Sequence, residues 1–200
     1  MADIPMYHQG SRQLQDRHST RRLADRLVEV LARNEFTEDD RVFIEARPMF
    51  FLATADAGGR PDCSYKGGVP GFVRVMGSDT LAFPDYDGNG MFKSLGNVLA
   101  NPAVGMLFID FDSPRRLRVN GRASLHEDDP MLAQFEGAKR IVRVKADAIF
   151  PNCPRYIHKM ELLEQSTYAP REGHVTPVPG WKKQPLFREV LPPGDSANRG

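Results

Sequence analysis

The sequence predicts a mainly β, α+β fold: about six antiparallel strands in a sheet or barrel, with helices ahead of them and one helix inserted. Three observations point there. Turn signals recur at residues 56–60, 67–71 and 77–79 between short apolar runs. Leu117, Val119, Gly121 and Ala123 alternate with polar residues, the period of a half-buried strand. Helical spacing of apolar residues is confined to the N-terminal region and to residues 91–99.

The elements follow in chain order. Residues 1–18 are polar, and a mobile segment is expected there. Ser19 or Thr20 can cap a helix carrying Leu23, Leu27, Val30 and Leu31 on one stripe. Thr37 then precedes Glu38, Asp39 and Asp40, an N-cap followed by acids that suit the helix dipole. That short helix should end near Ala46, because Pro48 extends the chain before it. Strands are expected at 50–55, 61–66, 72–76 and 80–83.

Pro84-Asp-Tyr-Asp-Gly-Asn-Gly90 breaks the strand pattern. Met91, Leu95, Val98 and Leu99 restore helical spacing, with Lys93, Ser94 and Asn97 on the other face. Asn101-Pro102 stops that helix. Strands follow at 103–109, 117–123 and 142–146, with a short helix between the last two at 130–137. Pro154 can open a further short helix. From Pro170 onward six prolines occur, and little regular structure is expected. The organisation expected is thus 1–18, helices 19–46, a barrel domain 47–160, and a proline-rich extension 161–200.

Composition bounds the function. The 17 glycines and 16 prolines among 200 residues exceed the usual share of roughly one-eighth. A hydrophobic content of 40% still supports a core, so a disordered chain is excluded. The 27 basic against 26 acidic residues leave a net charge of +1, which supplies no general drive toward nucleic acid or an anionic membrane. No apolar run approaches the roughly 18 residues of a membrane span, and the N-terminus lacks the apolar core of a signal peptide. Cys63 and Cys153 form no CxxC pair, which fits a cytoplasmic chain; both are expected to be structural or incidental, Cys153 as a buried thiol rather than one made reactive by Arg155.

Two features could carry chemistry. Asp87-Gly-Asn-Gly90 leads into Lys93, Ser94 and Asn97. A glycine-rich approach to a helix N-terminus presents free N–H groups to an anion, commonly phosphate. The same pattern also suits an ordinary capped helix with a wet face. Arg116, Arg118 and Arg122 share one face of a strand, with Lys66 and Arg74 possible neighbours. An anionic ligand or pairing with helix carboxylates would each account for that face. There is no GxSxG, no HExxH, no His/Cys cluster and no GxGxxG after a strand, so no metal site or dinucleotide fold is expected. Trp181 could stack on a ligand or cover apolar surface.

The block DGNGMFKSLGNVLANPAVGMLF, followed by RVNGRA and preceded by FFLATADAGGRPDCSYKGG, resembles the pyridoxamine 5′-phosphate oxidase-like flavoproteins, particularly their flavin-nucleotide-binding branch. The resemblance spans roughly residues 40–155. It implies a six-stranded antiparallel split β-barrel that forms a homodimer and holds flavin mononucleotide (FMN) at the subunit interface. It places Ser64, Tyr65, Lys66 and Gly67 where relatives contact the flavin. Asn89, Lys93, Ser94 and Asn97 fall on the turn and helix that receive the phosphate. Arg118 and Asn120 fall on the strand that can reach the partner's ligand.

Relatives often carry arginine where this chain has Gly90, Met91 and Gly96, which leaves fewer cations for a phosphate. Gly180-Trp-Lys-Lys-Gln-Pro-Leu-Phe187 departs from the substrate motif that ends the oxidase proper, so synthesis of pyridoxal phosphate is not expected. The resemblance implies an FMN-dependent oxidoreductase acting on a small substrate, with the flavin reduced by a nicotinamide or similar donor. The alternative is a flavin- or haem-binding carrier or sensor without turnover.

Overall fold

A computed structural model describes residues 6–198. Helix α1 (Gln9–Arg17) lies in the polar segment, where no apolar stripe announces it. It is tied to α2 (Arg21–Leu31) by ion pairs of Arg21 with Asp16 and Arg12 with Asp25, each 2.5 Å. The stripe predicted for α2 forms but stays exposed at Leu23, Leu27 and Val30; only Ala24 is buried. Helix α3 (Glu38–Glu45) starts as expected at Thr37. Its hydroxyl accepts from the Asp40 N–H, and the Asp40 carboxylate accepts from the Thr37 N–H. The buried Asp40 also pairs with Arg33, whose backbone bridges to Ile149 and so docks the helices on the sheet.

The sheet holds seven strands, one on each of the seven stretches where a strand is expected and one more than the rounded count of six, and does not close. They are β1 (Met49–Ala55), β2 (Pro61–Gly67), β3 (Arg74–Val75), β4 (Thr80–Asp85), β5 (Ala103–Asp110), β6 (Arg115–His126) and β7 (Arg140–Pro151). All pairings are antiparallel, in the order β2-β1-β5-β6-β7-β4-β3. The strand expected at 72–76 shrinks to the two-residue β3. Its first residues, Phe72 and Val73, instead turn inward and are buried.

The core gathers Phe50, Phe83 and Phe108 with the aliphatic faces of β4, β6 and β7. Rings of Phe50 and Phe83 meet edge to face at 5.0 Å. On β6 the alternation is as predicted: Leu117, Val119, Gly121 and Ala123 are buried and the intervening residues face out. A bulge falls at Asn120/Gly121, where a Cβ on Gly121 would come within 2.1 Å of the Lys145 carbonyl oxygen. Only glycine fits that approach.

Helix α4 (Lys93–Ala100) connects β4 to β5. A 3₁₀ turn at Pro130–Gln134 stands where the short helix was expected, capped by Asp129, which Arg143 holds at 2.6 Å. The helix expected from Pro154 does not form. Ile157 closes a single turn onto Pro154, and residues 157–165 run on without regular structure. The proline-rich extension folds back as short pieces: a 3₁₀ turn (Gly180–Lys183), α5 (Pro185–Arg188) and a last 3₁₀ turn (Ser196–Asn198). Both cysteines are free and exposed, so Cys153 is not the buried thiol expected.

Candidate functional site

The end of β4 and the start of α4 frame a cavity of about 490 Å³. The strand runs through Pro84, β4 pairs with β7 as far as Asp85, and the chain then passes through residues 86–90. Gly90 takes a left-handed φ of +75°, and Phe92, φ +48°, takes the same region to enter α4. That region costs a side-chain-bearing residue on the order of 1–2 kcal/mol. Phe92 is held there with its ring beneath the Arg140 guanidinium, 5.1 Å away. No side chain caps the start of α4, and residues 92–95 of that start line the cavity.

Period-two geometry sorts β2. Ser64 and Lys66 line the cavity, whereas Tyr65 points away, exposed, with its ring edge-on to Phe51. Gly67 lies under the Tyr65 ring. Ser64 Oγ and Ser94 Oγ are 2.8 Å apart, and Ser94 Oγ also donates to Asp62 Oδ2 at 3.2 Å. Asn89 and Lys93 complete the wall predicted from sequence. Asn89 braces the turn by accepting from the Met91 N–H at 3.0 Å.

The helix face is the expected one only in part: Leu95 and Val98 are buried and Lys93 is exposed, as predicted. Ser94 and Asn97 point inward and are buried, whereas Met91 and Leu99 are exposed. The cause is polar pairing: Ser94 bonds across to β2, and Asn97 donates to Thr54 Oγ1 at 3.0 Å. Asn97 therefore anchors α4 to β1 and lies outside the cavity. Arg118 and Asn120 sit on the outer face of β6, also away from it. Arg118 lies over the Phe150 ring, and Arg116 donates to the Cys153 carbonyl at 2.7 Å. Among the described residues no carboxylate pairs with Arg116, Arg118 or Arg122. The supposed neighbours are elsewhere: Lys66 faces the cavity and Arg74 pairs with Glu45.

Several residues of the cavity carried no sequence signal. Asp85 and Arg140 pair at 2.6 Å. Lys182 arrives from the C-terminal extension, next to Trp181, which the sequence did single out and which also lines the cavity. The lining has five cationic and four carboxylate side chains, so its balance is slightly positive. Burial pushes the Lys66 amine below its ordinary value, against the pull of Asp85 and Asp62. Burial likewise raises Asp85, and the nearby Arg140 and Lys66 only partly offset it. Burial also lifts the Tyr86 phenol to about 12, so it stays protonated.

This donor set suits a phosphate: two hydroxyls in contact, Lys66 and Lys93, and an uncapped helix start. A Cβ at Gly88 or Gly90 would meet nothing within 4 Å, so the turn leaves open space on its cavity side. Of the four lining carboxylates, Asp85 pairs with Arg140, and Asp87 and Asp195 pair with Lys182; Asp62 has no ion pair among the described residues, and Ser94 engages it.

An antiparallel barrel-like sheet with helices ahead of it and one inserted helix places the chain in the split-barrel class of folds. The sequence model described as pyridoxamine 5′-phosphate oxidase matches residues 36–168, and the chain belongs to that family. No curated protein matches it. Among solved structures it is similar to a candidate pyridoxamine 5′-phosphate oxidase from Lactobacillus delbrueckii, at 24% identity over 59% of this chain and 95% of that one, TM-score 0.49. It is also similar to an FMN-binding protein from Syntrophomonas wolfei, at 16% identity over 70% of this chain and 97% of the other, TM-score 0.45. A third is the haem storage protein HutZ from Vibrio cholerae, at 18% identity over 60% and 92%, TM-score 0.39. Among the described residues no helix is long and apolar enough to cross a membrane, and no group of His, Cys, Asp or Glu could hold a metal.

Proposed function

We propose that this chain is an FMN-binding oxidoreductase that acts as a homodimer on a small substrate, its flavin reduced by a nicotinamide or similar donor. The observation that carries the reading is the Ser64–Ser94 contact beside Lys66, Lys93 and the open start of α4, in a chain of this family. When bound, FMN would supply the two-electron chemistry of its ring.

The chain's own groups do the rest. Ser64, Ser94, Lys93 and the α4 N–H groups hold the phosphate. Lys66, partly desolvated, supports negative charge nearby. Trp181 and Phe92 exclude water from the mouth. Arg118 and Asn120 face outward on β6, where they would serve the partner subunit's site. None of the chain's five histidines lines the cavity, so the haem-carrier reading gains no support from it.

The test is the absorbance spectrum of the purified protein with added FMN, followed by a reduced nicotinamide. Bound, yellow FMN that bleaches on reductant is expected. A protein that takes up no FMN would sink the proposal. One that binds FMN but does not bleach with any donor would make it a carrier.

A further inference from the structure

The C-terminal extension supplies a wall of the cavity that neither the sheet nor the glycine turn provides. One side chain makes the connection. Lys182 is only 2% exposed; its Nζ lies 2.6 Å from Asp87 Oδ2 and 2.7 Å from Asp195 Oδ2. Buried lysines are rare and persist only when paired. Asp87 belongs to the glycine turn and Asp195 to the extension. The ammonium therefore ties the extension to the turn across 95 positions of sequence. Beside it, the Trp181 ring meets Phe187 of α5 edge-on at 5.5 Å, which stiffens the segment behind the latch.

We propose that Lys182 is a latch that makes residues 180–195 a fixed wall of the ligand site and, by neutralising Asp87, keeps the cavity receptive to an anion. Lys182 is a positioning residue. The anion half of the proposal rests on the FMN reading above; the latch half does not. The charge balance explains the first half. Without Lys182 the lining would hold four cations against four carboxylates, and Asp87 would face the turn uncompensated. Geometry explains the second. Asp87 and Asp195 would repel each other once the ammonium between them is gone, and the segment would lift away.

Wild type, Lys182→Met, Asp195→Asn and the double variant Asp87→Asn/Lys182→Met separate the two halves. Trypsin cleavage after Lys183 and Arg188 reads the latch without any ligand. It should be about tenfold faster in Lys182→Met and close to wild type in Asp195→Asn, which keeps the Lys182–Asp87 bond, with the sheet domain resistant in both, because local opening governs cleavage. Equal cleavage rates in wild type and Lys182→Met would overturn the latch.

FMN and riboflavin titrations, followed by flavin fluorescence, read the charge balance. Lys182→Met should weaken FMN about tenfold and riboflavin, which lacks the phosphate and loses only the wall, clearly less. The double variant should regain most of the FMN affinity. Equal FMN affinity in wild type and Lys182→Met, or equal losses for FMN and riboflavin, would overturn that half. Wild type that binds no FMN would refute the functional reading, while the cleavage rates still decide the latch.

Discussion

Ser64 Oγ and Ser94 Oγ lie 2.8 Å apart, joining β2 to the first turn of α4 across 30 positions of chain. This contact fixes where two hydroxyls meet the helix start, and Asp62 accepts a hydrogen bond from the Ser94 hydroxyl. Ser94→Ala should weaken FMN about five- to tenfold, the loss of one hydrogen bond near 1 kcal/mol. Asp62→Asn should do the opposite and tighten FMN, because it removes the carboxylate nearest the anion. Equilibrium titration of both variants checks the pair. Weaker binding by Asp62→Asn would mean that the carboxylate positions Ser94 more than it repels phosphate.

Lys66 predicts a pH response. Burial holds its amine below the ordinary 10.5. It therefore loses its proton earlier than a free lysine, and FMN affinity should fall as pH rises toward 10.5. The phosphate is already a dianion above roughly pH 6, so it contributes no change in that range. Lys66→Met should bind FMN about tenfold more weakly at pH 7, with a flat alkaline profile. An unchanged alkaline decline in that variant would place the titrating group elsewhere.

Gly121 sits where β6 bulges against β7. Gly121→Ala forces a Cβ within 2.1 Å of the Lys145 carbonyl oxygen, and backbone on both strands must shift. A loss of about 3–4 kcal/mol is expected. Gly59→Ala is the control. Gly59 has a φ of +80° but nothing within 4 Å of an added Cβ, so only backbone strain, about 1 kcal/mol, is at stake. Urea midpoints for the two variants should differ accordingly.

The legible and illegible parts of this chain divide by the range of the interactions. The β6 alternation, the Thr37 cap and the glycine turn into α4 are local patterns, and each is where the sequence places it. Ser94 and Asn97 occupy helical positions that read as wet. Their inward turn depends on Ser64 and Thr54, partners 30 and 43 positions away. Lys182 is the extreme case. A lysine in a proline-rich stretch reads as solvated, and only the fold brings Asp87 to it. The exposed stripe of α2 is the converse: periodicity is local, but what covers it is not. The shortened β3 has the same origin, since Phe72 and Val73 leave the strand to fill the core.

Asp40 is the hinge of the N-terminal docking. It closes the capping box of α3 and pairs with Arg33 beside the bridge to Ile149. Asp40→Ala should cost about 2–3 kcal/mol, the sum of a lost cap and a lost charged hydrogen bond. Hydrogen exchange should localise the loss to residues 21–45, leaving the β5–β6–β7 amides the most protected.

Acid stability follows from the same carboxylates. Arg143 holds Asp129 below the ordinary 3.8, and Lys182 does so for Asp195. Burial would raise Asp40 and Asp110, but bonds from Arg33 and Thr37, and from Ser113 and Arg47, outweigh it and lower both. A depressed carboxyl contributes stability that is present above its unfolded value and lost as pH falls through its folded one. Asp85 has the opposite sign. Its folded value lies above 3.8, so its ionisation costs stability as pH rises through that window. These four, joined by the more exposed Asp16 and Asp79, which are also lowered, stand against Asp85 and set the net direction. The urea midpoint should hold steady from pH 7 to about 5 and decline below about 4. Asp40→Ala should flatten that decline, because one of these contributions is then absent at every pH. A midpoint that rises below pH 4 would mean that relief of Asp85 outweighs all of them.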